Sequence, residues 1–120
     1  MIARVWLGST PAALANDYAG YLDRTGVPEL AATEGNLGVL VLRRAGPETA
    51  VFTVISLWED MDAVRRFAGP DPDRAVYYPK DAEYLLEMPP TLEHHQVTAA
   101  VALGRGYEPP STTARTANAT

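Results

Sequence analysis

A chain of 120 residues, 47% apolar and 21% charged, has room for one domain with its own core and too little length for two ordinary ones. The absence of cysteine excludes disulfides, thiolate metal sites and cysteine nucleophiles, and no apolar run approaches the roughly 20 residues that span a bilayer. A net charge of −5, with Arg43-Arg44 and Arg65-Arg66 as the basic pairs, argues against nucleic acid as a partner.

The start, Met1-Ile-Ala-Arg-Val-Trp6, lacks the features of a secretory signal, so a cytoplasmic location is expected. Its alternation predicts a strand over Ile2 to Leu7. Ile2, Arg4 and Trp6 share one face; Ala3, Val5 and Leu7, uniformly apolar, share the other and are expected to pack against helices. Gly8-Ser9-Thr10-Pro11 offers a turn, an N-cap hydroxyl and a proline for the first helical position. A helix from Pro11 to Arg24 should bury Leu14, Tyr18, Tyr21, Leu22 and Thr25, and Gly26 should end it.

Leu37 to Arg44 is apolar on both faces, Ala45-Gly-Pro-Glu-Thr49 is a turn, and Val51 to Trp58 alternates, so residues 37–58 read as a β-hairpin. In its second strand Val51, Thr53, Ile55 and Leu57 oppose Phe52, Val54, Ser56 and Trp58. The latter face carries a hydroxyl and an indole where a plain core would carry aliphatics. Asp60 is expected to cap a helix containing Met61, Val64, Arg65, Phe67 and Ala68, stopped by Gly69-Pro70. Prolines break Asp71 to Lys80 into a short helix and a loop; Asp81 to Glu87 reads as a further helical piece. Leu92 to Leu103 reads as a long strand, with Leu92, His94 and Gln96 on one face and His95, Val97, Ala99 and Val101 on the other. Residues 104–120 offer almost nothing to bury, which predicts a domain over 1–103 followed by a mobile tail.

The order strand, helix, strand, strand, helix, strand is the α+β, ferredoxin-like split-βαβ plan, a four-stranded antiparallel sheet with helices on one face. Two helices cover only one side of such a sheet. The face assigned to the open side contains Ile2, Trp6, Leu40, Leu42, Phe52, Val54 and Trp58, too much apolar area for water, so a two-fold homodimer through that face is expected. Arg4, Ser56, His94 and Gln96 would then line a pocket between sheet and partner.

Met1-Ile-Ala-Arg-Val-Trp6, Ile55-Ser-Leu-Trp-Glu-Asp-Met-Asp62, Arg66-Phe-Ala-Gly69, Ala75-Val-Tyr-Tyr-Pro79 and Glu93-His94 resemble the antibiotic biosynthesis monooxygenase-like (ABM) family of the dimeric α+β barrel superfamily. The resemblance implies a dimeric barrel and a relationship to cofactor-independent monooxygenases of aromatic polyketides, polyketide cyclases and haem-degrading enzymes. In the haem-degrading members, iron is held by a histidine near the end of the second helix, beside a first-strand asparagine and a tryptophan ending the third strand. Trp58 matches that tryptophan. Arg4 and Trp6 stand where the asparagine is expected, Tyr77-Tyr78 stands near the histidine position, and no histidine precedes His94.

Each candidate residue has a plain reading and a functional one. Trp58 and Trp6 are packing anchors or pocket walls; Arg4 is an ion-pair partner or an anchor for a carboxylate or phenolate. Tyr77 and Tyr78 are a lid over the core or donors to a substrate oxygen. His94 and His95 point to opposite faces, so no metal site is expected, and His94 is the candidate general acid or base. Nucleophile, phosphate-loop and dinucleotide fingerprints are missing, so no tightly bound cofactor is expected and the substrate must bring the reactivity. With the resemblance, these residues imply a homodimeric tailoring enzyme, of monooxygenase or cyclase type, acting on an aromatic or polyketide-like molecule. Its catalytic residues would be His94, Tyr77 and Arg4, and its substrate-binding residues Trp6, Ser56, Trp58 and Tyr78. The competing reading is a non-catalytic protein that binds a small molecule, haem included.

Overall fold

The computed structural model describes residues 1–103, and the tail assigned to 104–120 lies outside the described residues. Four strands, β1 (Ile2–Pro11), β2 (Asn36–Ala45), β3 (Thr49–Trp58) and β4 (Glu93–Gln96), form one antiparallel sheet in the order β2-β3-β1-β4. Between them run α1 (Ala15–Arg24), α2 (Gly26–Ala32), α3 (Met61–Ala68) and the short α4 (Asp81–Tyr84). This is the ferredoxin-like plan, and among the described residues no helix is long and apolar enough to cross a membrane.

Several boundaries differ from the sequence reading for local reasons. β1 continues to Pro11 because Thr10 and Pro11 still pair with Ala50 and Thr49, so the chain reaches α1 only after a 3-10 turn over Ala12–Leu14. Gly26 begins a helix instead of ending one. Pro28 falls in the first turn of α2, where a backbone N–H would have no helical acceptor, and the backbone breaks only at Thr25. Asp71 to Lys80 contains no helix; Arg74 instead bridges to Thr91. α4 stops at Tyr84, and the Leu86 N–H donates to the Ser9 carbonyl at 2.9 Å. β4 is short because its partner runs out: the Val97 N–H reaches the Met1 carbonyl at 3.0 Å, and no β1 residue remains for an antiparallel strand to pair with. Asp60 caps α3 as expected, its Oδ1 accepting from the Ala63 N–H at 2.9 Å, and Gly69 ends the helix at φ 93°.

The main correction concerns the faces of the sheet. Arg4, Trp6, Phe52, Val54, Ser56 and Trp58 do share a face, and Arg4↔Ser56, Trp6↔Val54 and Arg4↔His94 are Cα partners. That face is the covered one: Phe52, Val54 and Trp58 pack with Tyr18, Leu22, Leu30, Ala63 and Val64 of the helices. The open face carries Val5, Leu7, Thr53, Ile55 and Leu57, joined by Leu40 and Leu42, which oppose Ile55 and Thr53. Leu40 and Leu42 are therefore not with Trp6, and Ala3, Val5 and Leu7 do not pack against helices. The polar members tolerate burial because each finds an internal partner. Trp58, 0% exposed, donates its indole N–H to the Ser56 hydroxyl at 2.9 Å, and Arg4 is bonded to carbonyls and to His94.

Candidate active site

Because the face that carries the candidate residues is covered, the cavity it lines lies within one chain, between sheet and helices, and not between sheet and partner. β1 and β3 supply Arg4, Trp6, Val54 and Ser56; α1 supplies Tyr18 and Leu22; α2 supplies Gly26, Val27 and Leu30; Phe67, Val76, Tyr77, Tyr78, Asp81 and Leu92 complete the wall. The space open to the centre of a water-sized sphere is about 60 Å³, and the empty space between walls and mouth, continuous with solvent, is about 570 Å³. The lining is apolar apart from a few polar groups, as small-molecule sites are.

Trp6 owes its pose to Gly8, the next residue on the same face. A Cβ on Gly8 would stand 2.3 Å from the far edge of the indole, so only glycine leaves that ring room to lie along the strand. The indole N–H donates to the Tyr77 hydroxyl at 3.1 Å, which donates in turn to the Pro89 carbonyl at 2.6 Å. Burial pushes the Tyr77 phenol up, an effect the Trp6 N–H opposes and the Asp81 charge reinforces. The Tyr78 phenol, bonded to Glu29 of α2, is pushed up further, by burial first and then by Glu29.

Arg4 is only 4% exposed. Its Nη1 donates to the Pro72 carbonyl and, at 3.1 Å, to His94 Nε2, while Nη2 donates to the Arg74 carbonyl at 2.9 Å. Its guanidinium lies 5.7 Å from the Phe67 ring centre. Burial lowers the Arg4 pKa to about 10, with Asp73 opposing, so the group stays charged at neutral pH.

His94 does not line the cavity. Its Nε2 accepts from Arg4 and its Nδ1 lies 3.1 Å from Asp73 Oδ1, which assigns the neutral tautomer protonated on Nδ1. Burial first, then the Arg4 charge and His95, hold the His94 pKa below its usual value; Asp73 pulls the other way. Near pH 6.5 and below, the unfolded chain takes this proton more readily than the folded one, so stability present above that pH falls as pH drops through the lower, folded value. Urea midpoints measured from pH 7.5 to 5.5 should decline toward the acid end, and His94→Gln should flatten the decline. An equal slope in the variant would remove His94 as its source.

The sequence-predicted residues thus separate into two groups. Arg4, Trp6, Ser56, Tyr77 and Tyr78 meet at the cavity wall. Trp58 stands behind Ser56 as core, 6.2 Å from the Phe67 ring centre, and His94 stands behind Arg4. Sequence reasoning missed Asp81, which is 3% exposed and lines the cavity, its Oδ1 accepting from the Tyr18 hydroxyl at 3.0 Å and its Oδ2 from the Tyr78 N–H at 2.6 Å. In sequence it is indistinguishable from any acidic residue opening a short helix. The hydrogen bond from Tyr18 also reinforces burial and the Asp81 charge in pushing that phenol far up.

No protein-family model matches the chain, and no curated protein sequence matches it either. Solved structures do share its architecture. A candidate antibiotic biosynthesis monooxygenase from Bacillus cereus aligns with 15% identity over 88% of this chain and 98% of its own, at a TM-score of 0.58. An MhuD variant carrying two manganese protoporphyrin IX molecules per active site aligns with 18% identity over 85% of this chain and 99% of its own, at a TM-score of 0.54. At these identities the likeness establishes the fold. The residues here do not fit a porphyrin iron: the three phenols at the wall, Tyr18, Tyr77 and Tyr78, are pushed toward the neutral form, and both ring nitrogens of His94 are engaged.

Proposed function

We propose that this chain, which has the ABM-like fold, is a homodimeric enzyme that oxygenates or cyclises a small aromatic or polyketide-like molecule in the enclosed cavity, without a tightly bound cofactor. One observation carries this reading: a buried guanidinium, a buried carboxylate and phenol groups meet in a cavity whose remaining wall is mostly apolar. Asp81 takes a proton from the substrate carbon or hydroxyl, Arg4 stabilises the enolate or phenolate oxygen, joined by the Tyr77 hydroxyl when its O–H turns from the Pro89 carbonyl to the substrate, and Trp6 and Leu30 hold the apolar body. In the oxygenation a CH₂ group and O₂ give C=O and water. The carbon loses four electrons and dioxygen gains four; one oxygen atom stays on carbon and the other leaves with both hydrogens. In the cyclisation the enolate carbon attacks a ketone of the same chain and the proton returns to the new alkoxide. His94 serves as a positioning residue, holding Arg4 in place of moving the proton itself.

The homodimer forms through the open face. Leu7, Leu40 and Leu42 are 52%, 39% and 47% exposed, all on a sheet side that no helix among the described residues covers. A second copy removes this apolar stripe from water, as two-fold pairing of like surfaces does.

Oxygen uptake and mass spectrometry with anthrone-type and poly-β-ketone substrates test the activity. Asp81→Asn, with its fold verified by circular dichroism, should lower kcat by about 10²- to 10⁴-fold. The second reading, a binding protein without turnover, is favoured by one fact: Tyr77, Tyr78 and Asp81 all hold structural hydrogen bonds already. Saturable binding of these compounds by the wild-type protein with no product would establish that reading instead.

A further inference from the structure

Arg4 is a buried cation with no carboxylate within 4.0 Å among the described residues. The ion pairs there are Arg65–Asp62, His94–Asp73 and His95–Glu93. Its partners are two carbonyl oxygens and a neutral imidazole nitrogen, which supply dipoles and no compensating charge. Asp73 makes no ion pair with it; its carboxylate bonds the far side of the His94 ring, from where its charge offsets only part of the cost of burial. Leaving a charge in such a place is costly unless something pairs with it.

A guanidinium has five N–H donors in a fixed plane. Three are spent: both on Nη1, toward Pro72 and His94, and one on Nη2, toward Arg74. The remaining two donors are the Nε hydrogen and one hydrogen of Nη2, on the two nitrogens that share a side edge of the plane. Nε is not sealed into packing either, because among the described residues the sealed side-chain nitrogen without a partner is Asn36 Nδ2. Arg4 is among the residues of the cavity wall.

We propose that the cavity selects a planar anion with two oxygens, a carboxylate or the enolate of a β-dicarbonyl, held bidentately by the free edge of Arg4. Two parallel donors match two oxygens in one plane, which a phenolate with a single oxygen does not provide. The Pro72 and Arg74 carbonyls and His94 fix the guanidinium on its other edges, so the fork is preorganised before the ligand arrives. The cavity volume is about 60 Å³, room for a few waters. That suits the head of such an anion, with a ring directed to the mouth past Trp6. This inference rests on the cavity being a ligand site, and it adds the charge and shape of the ligand.

The test is a calorimetric and Trp-fluorescence titration of the wild-type protein with benzoate, with the enolate of benzoylacetone, and with neutral benzamide, which has nearly the shape of benzoate. At least one anion should bind about tenfold or more tightly than benzamide. The stronger of the two anions tells which two-oxygen group the site prefers. Arg4→Met should abolish the preference, and Arg4→Lys, which keeps the charge without the fork, should weaken anion binding about tenfold. Equal binding of benzamide and both anions would overturn the anion selection while leaving the cavity a ligand site. Failure of all three to bind would overturn both. The wild-type comparison alone decides the matter if neither Arg4 variant folds.

Discussion

Ile55→Arg is expected to turn a dimer of twice the 13.0 kDa chain mass into a monomer. Ile55 sits mid-sheet on the open face, between Val5 on β1 and Leu40 on β2, where the proposed sheet-to-sheet pairing would bury it most completely. An arginine there would be shut away without a carboxylate partner, since the residues around it are aliphatic. Each unpaired buried charge costs about 3–5 kcal/mol, and two-fold symmetry imposes it twice. Light scattering at micromolar concentration should report the chain mass, with the far-ultraviolet dichroism unchanged because the substitution faces away from the helices. A variant that remains dimeric would move the interface elsewhere.

Gly35→Ala is expected to destabilise the fold by about 2–4 kcal/mol, through two independent effects. Gly35 has φ 92°, a region that side chains disfavour, and a Cβ there would stand 2.4 Å from the Ala63 Cβ of α3. The close approach is structural: the Gly35 carbonyl accepts the Glu59 N–H at 3.0 Å, tying the entry of β2 to the end of β3 just before α3 begins. For a domain of this size each kcal/mol corresponds to a fall of about 4–8 °C in Tm. Thermal unfolding monitored by dichroism measures it. A shift under about 2 °C, well below that range, would mean that the backbone relaxes at this turn and that α3 yields to the added methyl.

The strands and α3 were legible because their signals are local. Val51 to Trp58 alternates cleanly, Asp60 caps α3, and Gly69 closes it. Which residues of β1 and β3 share a face was legible too, since the side-chain period of a strand is two, but Leu40 and Leu42 of β2, whose register shifts between Asn36 and Gly38, read in sequence as sharing the Trp6 face and lie on the other. Which face the helices cover was not legible. Ala3, Val5 and Leu7 look like core in sequence because a surface awaiting a partner and a surface under helices have the same apolar composition. Arg4 and Ser56 look solvent-facing until their internal acceptors and donors are known. α2 was obscured by Gly26 and Pro28, which signal a helix end in isolation yet here occupy a first turn. Asp81 was invisible as a site residue because its burial depends on Tyr18, 63 positions earlier.

Neighbouring residues on β3 offer the most direct measurement, because Val54 lines the cavity and Ile55 lies on the opposite face. Benzoate titrations of Val54→Phe and Ile55→Arg, each with its oligomeric state determined, separate the two faces. With the site between sheet and helices of one chain, Val54→Phe fills the cavity and weakens binding about tenfold or more while remaining a dimer. Ile55→Arg becomes a monomer that still binds. The opposite pattern, binding lost with the dimer in Ile55→Arg and kept in Val54→Phe, would place the site between sheet and partner and contradict the enclosed cavity.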